Sequence, residues 1–140
     1  MRLLLTVSND LVFGSNEAVI TNSSPVGLLG NLTGSGGLTQ GGDWPLILTG
    51  DNSGLTGQLT ISGDVGSPRI DVRDEISLPG TGPIIVRSNA STGSAGIGAS
   101  NDFMVANFTG DISGDGNLII NSSGSFGFVE LSGNNTYTGI

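Results

Sequence analysis

Two stretches of the chain carry the same order of glycine, amide and hydroxyl residues. One is LTGDNSGLTG (48–57) and the other is LSGNNTYTG (131–139); each follows an apolar, strand-like segment. The similarity extends upstream, where NLTGSGGLTQ (31–40) aligns with DISGDGNLII (111–120). A chain that repeats both its strands and its turns is expected to build similar units that stack on one another.

A shorter pattern, apolar-x-Gly-x-Gly-x-apolar, occurs three times. Its copies begin at Leu32, Leu78 and Ile112. A β-solenoid uses about 20 residues for each turn of two or three short strands and the corners between them. On that scale the distance from Leu32 to Ile112 corresponds to about four coils, and the whole chain predicts an all-β parallel β-solenoid of about six or seven coils.

Short apolar runs between Gly, Asn, Ser and Asp predict many short strands and tight turns. In Leu59–Ile61, Ile70–Val72 and Val129–Leu131 apolar and polar residues alternate, which directs one face inward. No apolar stripe of helical period exceeds two turns, so we expect no helices. The predicted strands are Leu3–Val7, Leu11–Phe13, Leu46–Thr49, Gln58–Ile61, Arg69–Val72, Ile84–Arg87, Phe103–Ala106, Asn117–Ile120 and Phe128–Leu131.

Composition fits a folded chain whose corners are rich in glycine. The sequence has 25 Gly and 5 Pro, but 36% of residues are hydrophobic and only 11% are charged, whereas disordered chains combine low hydrophobicity with high net charge. Glycine accepts positive φ at corners, and Asn and Asp tolerate the same region. We therefore expect residues 1–140 to form one solenoid segment.

The charge balance excludes several classes of partner. Twelve acids face four arginines, giving a net charge of −8, and the chain contains no Lys, His or Cys. Nucleic acids and anionic lipids both require clustered cations, so neither is an expected partner. A Ser-His-Asp triad cannot be assembled without histidine. No apolar run approaches the roughly 20 residues of a membrane span, so we expect no membrane insertion by this segment.

The segment ISGDGNLIINSSGSFGFVELSGNNTYTG (112–139) resembles the autotransporter-associated β-strand repeat. NLTGSGGLTQGGDWPLILTGDNSGLTG (31–57) resembles the same unit, and the repeat-like units are 31–57 and 108–139. The stretch at 31–57 departs from the pattern at Trp44-Pro45 and at Gly54-Leu55, which replaces a tyrosine. The resemblance implies a right-handed, single-stranded parallel β-helix on the bacterial cell surface. We interpret the chain as a segment of a longer, secreted repeat protein.

Four groups of residues are candidate sites, and the first two are charged. Arg69, Asp71 and Arg73 would share one strand face. Parallel β-helices that cleave acidic polysaccharides use an arginine base and calcium-binding carboxylates, so this cluster is the enzyme hypothesis. The alternative, which we favour, is an outward strand face whose charges pair with each other. Asp51 and Asp115 lie in glycine-rich turns and are candidate calcium ligands, or corner residues that bond their own turn, which we favour.

The remaining candidates are amides and aromatic rings. Asn-x-Ser/Thr occurs at Asn22, Asn31, Asn89, Asn107, Asn121 and Asn134, and we interpret these residues as turn formers and not as glycan acceptors. Trp44, Phe126, Phe128 and Tyr137 would form either an exposed binding surface or, as we expect, part of the stacked core.

These observations predict a structural role: an adhesive stalk or fibre segment on a bacterial surface, with the capacity to self-associate end to end. We expect no enzyme activity, no catalytic or metal residues and no cofactor. The expected partners are neighbouring copies, flanking coils and surface or matrix ligands, either protein or glycan. Two alternatives stay open: a polysaccharide-active, lyase-like β-helix enzyme and a trimeric solenoid of the phage-fibre type.

Overall fold

Every strand pair in the described chain is parallel. The computed structural model describes residues 5–63, 68–73, 80, 82–88, 94–99, 105–122 and 127–139. These residues contain no helix, and thus none that could span a membrane. The strands are β1 (Leu5–Val7), β2 (Leu11–Gly14), β3 (Ala18–Asn22), β4 (Val26–Leu28), β5 (Leu32–Gly34), β6 (Leu38–Gly42), β7 (Pro45–Leu48), β8 (Leu59–Gly63), β9 (Arg69–Val72), β10 (Ile84–Ser88), β11 (Ala95–Ala99), β12 (Val105–Phe108), β13 (Ile112–Gly114), β14 (Leu118–Ser122) and β15 (Phe128–Leu131).

The strands form three faces that the chain visits in turn. The first face is a six-stranded sheet in the order β1-β4-β7-β9-β11-β14, and the third is a five-stranded sheet in the order β3-β6-β8-β10-β13. Between them in chain order lies the second face, with the pairs β2-β5 and β12-β15. This architecture confirms the predicted all-β parallel β-solenoid.

The later coils are longer than the roughly 20 residues per turn expected of a β-solenoid, so fewer of them fit. On the first face, Leu5 pairs with Val26, Val26 with Leu46, Leu46 with Ile70, Ile70 with Ile97, and Ile97 with Ile120. The first two of these steps are close to the expected length, whereas the last three exceed it. Six strands joined by five turns of chain therefore replace the six or seven coils predicted.

Apolar side chains from all three faces fill the interior. Leu46, Ile70 and Ile97 are stacked in one row of the first face and are each 0% exposed. A matching row on the third face joins Leu38, Leu59, Ile84 and Ile112. Burying one such side chain contributes about 1.5–3 kcal/mol, so the stacked rows stabilise the contact between coils.

Six strands were not predicted, and all of them except β3 (AVITN) contain glycine. They are β3, β4, β5, β6, β11 and β13; β11 reads AGIGA and β6 reads LTQGG. Glycine is depleted in strands in general, yet here it pairs on both sides with neighbouring coils. The predicted strand Phe103–Ala106 overlaps β12, although Phe103 lies outside the described residues, as do Leu3 and Leu4.

The two copies of the repeat lie on different faces. Leu32 begins β5 on the second face, whereas its counterpart Ile112 begins β13 on the third. From Leu38 the third face continues to Leu59, Ile84 and Ile112, and each step is longer than the one before. The interval between the copies is therefore three full coils plus the step from the second face to the third. The expectation of about four coils is wrong because the intervening coils are long.

The corner glycines of both copies are required by a close approach of backbone from the coil below. A Cβ atom on Gly50 would lie 2.2 Å from the Gly30 carbonyl oxygen, and one on Gly133 would lie 2.4 Å from the Gly110 oxygen. Positive φ, which we expected at such corners, occurs elsewhere, for example at Gly42 (φ 92°). Gly50 and Gly133 are needed because only a residue without a Cβ atom leaves space for the carbonyl of the coil below.

Gly50→Ala should lower the free energy of unfolding by about 1–3 kcal/mol, because the new methyl group overlaps a backbone carbonyl that cannot move alone. Gly27→Ala is the matched control, since the nearest atom to its Cβ would be the Thr6 methyl group, at 3.6 Å. We expect the control to change stability by less than about 1 kcal/mol. Urea unfolding measures both values; equal losses for the two variants would contradict the steric explanation.

Candidate functional surface

Asp and Asn side chains at the corners form a ladder of hydrogen bonds from coil to coil. Asp10 Oδ1 accepts from the backbone N–H of Asn31 at 2.8 Å, and Asn31 Oδ1 accepts from the N–H of Asp51, also at 2.8 Å. In the second copy, Asp111 Oδ1 accepts from the N–H of Asn134 at 2.7 Å. The ladder therefore satisfies corner N–H groups where the strand ladders stop, and it alternates acid with amide.

The second residue of the pair that follows the corner glycine, Asn52 or Asn135, accepts a hydrogen bond from the preceding coil. Asn52 Oδ1 accepts from the Leu32 N–H at 2.9 Å, and Asn135 Oδ1 accepts from the Ile112 N–H at 3.1 Å. Asn52 is 0% exposed, whereas Asn135 lies on the exposed last coil. Thus the same sequence makes the same contacts at two different corners: between the first and second faces in one copy, and between the second and third in the other.

Asp51 bonds its own turn, as we expected of a corner residue. Its Oδ1 accepts from the Ser53 hydroxyl at 2.6 Å and from the Ser53 N–H at 3.0 Å. The hydroxyl, and then the N–H, hold the pKa of this carboxyl below its ordinary value of 3.8. Asp115 lies exposed in its turn. Within the described residues no three acidic side chains converge as a metal site would require.

A buried amide cluster at the corner between the third and first faces was missed from the sequence. Gln40 replaces an aliphatic residue in the inward row formed with Ile20 and Ile61, and it is 0% exposed. Its Nε2 donates to Asn22 Oδ1 at 2.7 Å, and Asn22 Nδ2 donates to the Pro45 carbonyl at 3.1 Å. The only sequence signal was a polar residue in an apolar row.

The basic-acidic cluster on β9 is an ion pair. Arg69 Nε lies 2.6 Å from Asp71 Oδ1, and a second nitrogen donates to Oδ2 at 2.7 Å. Both side chains lie on the outer face, across the next strand, where a Cβ on Gly96 would meet Arg69 Cγ at 2.9 Å. The pairing that we favoured is confirmed for these two residues; Arg73 follows the end of the strand and is exposed.

The first and last described coils leave the apolar interior open. In the inward row of the first face, Leu46, Ile70 and Ile97 are each 0% exposed, whereas the outermost members, Leu5 and Ile120, are 57% and 51% exposed. These outer residues occupy the same row and the same orientation as the buried ones. Their exposure arises only because no described coil covers them.

Further apolar side chains surround the two open coils, here called the end faces. On the first coil Val12 is 78% and Val19 63% exposed, and on the last coil Ile119 is 48% and Phe128 65% exposed. Monomeric soluble proteins rarely expose contiguous apolar patches of large area, and such patches mark interaction sites. Together with the open rows, these residues make each end face a candidate binding surface.

The expectation that the aromatic residues form a stacked core is wrong for two of them. Phe128 points outward from β15, and Tyr137 is 37% exposed on the last coil. Tyr137 stands where the first copy has Leu55, which is 1% exposed because a further coil covers it. Trp44 is half-buried, and Phe126 lies outside the described residues.

The Asn-x-Ser/Thr residues lie in different environments. Asn22 is buried in the amide cluster, and Asn31 uses its side chain in the corner ladder. Asn107 is half-buried and its Oδ1 accepts from the Ser132 hydroxyl at 2.7 Å, while Asn121 and Asn134 are exposed. Asn89 lies outside the described residues. Asn31 lies at a corner, but its side chain bonds the next coil and not its own turn.

Comparison of the chain with protein-family models, with curated proteins and with solved structures finds no match. Any assignment of function therefore depends on the residues of this chain and on their geometry.

Asn52→Ala should lower the free energy of unfolding by about 1–3 kcal/mol, because the buried N–H of Leu32 loses its acceptor. Asn135→Ala removes the equivalent bond on the exposed last coil, where water can replace it, and should change stability by no more than about 0.5 kcal/mol. Chemical denaturation of both variants tests this difference. A loss at position 135 as large as that at position 52 would contradict it.

Ser53→Ala should raise the pKa of Asp51 toward its ordinary value, because the larger of the two stabilising hydrogen bonds is removed. A depressed carboxyl pKa adds stability above the ordinary value, and this contribution is lost as the pH falls through the folded-state value. A carbon-13 NMR titration of the Asp51 carboxyl measures the change. Ser132→Ala is the control, because its hydroxyl is bonded to Asn107 and not to Asp51. An Asp51 titration unaffected by Ser53→Ala would refute this explanation.

Proposed function

We propose that this chain is a structural stalk or fibre segment whose coils associate end to end. The stacked coils form a stiff rod that presents corner residues and outer strand faces to ligands. The observation that carries the proposal is the pair of end faces, because each exposes one end of the inward apolar row that is fully buried at Leu46, Ile70 and Ile97.

Stiffness is supported by the way that each coil is held to the next. The strands pair in parallel on successive coils, and the Asp10, Asn31 and Asp51 ladder extends the hydrogen bonding around a corner. Buried side chains such as Leu46 and Ile70 stack in rows along the same direction. A rod with bonding on its faces, at its corners and in its interior resists both bending and unwinding.

Association is supported by the edges of the outermost strands. In the sheet orders of the described residues, β1 and β14 are the terminal strands of the first face. A terminal strand presents unpaired backbone N–H and C=O groups that act as a template for another strand. Because the two ends of a solenoid differ, contact between them is head-to-tail and generates an open filament.

A bacterial surface location is the second part of the proposal. It is supported by the resemblance of residues 31–57 and 108–139 to autotransporter-associated β-strand repeats, and by a net charge of −8, which favours solubility. Surface or matrix ligands, protein or glycan, would contact the corners and outer faces. The Arg69–Asp71 ion pair favours this structural role over the polysaccharide-active alternative, since the guanidinium is already engaged by a carboxylate.

The purified chain should form filaments whose length grows with protein concentration, as measured by analytical ultracentrifugation and electron microscopy. Ile120→Glu and Leu5→Glu place a charge in the open inward row of the last and first end faces respectively. Each should reduce assembly at least about tenfold, because a buried unpaired charge is costly. Leu29→Glu is the control: Leu29 is 43% exposed but lies away from both end faces, on the second coil.

Two results would contradict the proposal. A dispersed monomer at every concentration would exclude association, and equal assembly by all three Glu variants would exclude the end faces as its site. A trimer of fixed mass would favour the phage-fibre alternative. Turnover of acidic glycans that is lost in Arg69→Ala would favour the polysaccharide-active enzyme.

A further inference from the structure

We propose that two copies of this chain stack head to tail with a rotation of one third of a turn. The rotation places the corner motif of the first coil of one copy above the corner motif of the last coil of the other. This inference rests on the proposed end-to-end association and specifies its geometry. In the rotated stack β1 lies on β15, β2 on residues 135–138, and β3 on β14.

The rotation follows from the displacement of the repeat within the chain. The corner motif occupies the junction of the first and second faces at Asn31 and Asp51, but the junction of the second and third faces at Asp111 and Asn134. The first coil carries the motif at Asp10, again between the first and second faces. Only a turn by one face places Asp10 of one copy directly above Asn134 of the other.

The rotated stack continues the corner ladder without placing like charges together. Within the chain, the ladder runs acid, amide, acid through Asp10, Asn31 and Asp51, in which Asp10 Oδ1 and Asn31 Oδ1 each accept from the backbone N–H of the next member. At the corner between the second and third faces, a second ladder ends on the last coil with Asp111 and then Asn134. Asp10 of the second copy supplies the next acid, and its N–H meets the Oδ1 of Asn134 as the N–H of Asp51 meets that of Asn31.

The strands that would meet are also matched in pattern. β3 (Ala18–Asn22, AVITN) pairs in the chain with β6 (Leu38–Gly42), and β14 is the repeat counterpart of β6. In the same register Val19 would contact Ile119 on the outside, and Ile20 would contact Ile120 on the inside. All four are apolar, and Val19, Ile119 and Ile120 are among the most exposed large apolar residues. The interface therefore continues the coil-to-coil contact already present inside each copy.

Disulfide trapping tests the rotation directly, because the chain has no cysteine of its own. Facing residues on paired strands are about 4.8 Å apart, within the Cα separation of a disulfide. Three variants share Asn121→Cys on β14 and add Thr21→Cys, Thr6→Cys or Val12→Cys, all exposed positions on the first coil. These pairs report rotations of one third, zero and two thirds of a turn.

After mild oxidation and trypsin cleavage, mass spectrometry counts the cross-link that joins the two ends of different copies. We expect this cross-link with Thr21→Cys to exceed those with Thr6→Cys and Val12→Cys at least about tenfold. Dominance of either other pair, or equal yields, would overturn the rotated register while leaving end-to-end association intact. Absence of this cross-link in all three variants would overturn the stacked arrangement. If the cysteine-free chain also stayed monomeric, the proposed association would fail as well.

Discussion

Hydrogen bonds between successive coils are the interaction on which the rest of the structure depends. The strands have only three to five residues, and each finds its backbone partners on the coils above and below. At the corners, where strand pairing stops, Asp10, Asn31 and Asn52 supply side-chain acceptors for backbone N–H groups of a neighbouring coil. Almost no backbone group in such a fold can be satisfied within its own coil, so a coil is stable only as a member of a stack.

Glycine and the acid-amide pair act together at a corner. Gly50 leaves room for the Gly30 carbonyl, which brings the two coils close enough for Asp51 and Asn52 to bond the coil below. Gly133 and the amide pair Asn134-Asn135 make the same contacts on a different edge of the rod. The motif therefore encodes a corner in general, and its position around the rod is set by the lengths of the coils before it.

The sequence predicted the features that repeat and missed those set by context. Alternating residues located β9 and the Arg69–Asp71 pair, and the glycine-amide turns predicted a solenoid, because both depend on local chemistry. Gly-rich β11 was missed because its stability comes from two neighbouring coils, which no local propensity reports. Phe128 was expected in the core but points outward. The side of the strand on which it lies is set by strand register, not by its aromatic side chain. Gln40 was missed because its amide is satisfied by partners such as Asn22, distant in sequence.

The lengthening of the middle coils has a consequence for how the molecule displays its surface. Successively longer steps along the third face turn the second copy of the motif to another side of the axis while its hydrogen bonds stay the same. A segment duplicated in such a chain need not contain a whole number of coils to remain stable. Copies of one motif can thus face different directions around the circumference, and a ligand that recognises the motif would meet it from more than one side.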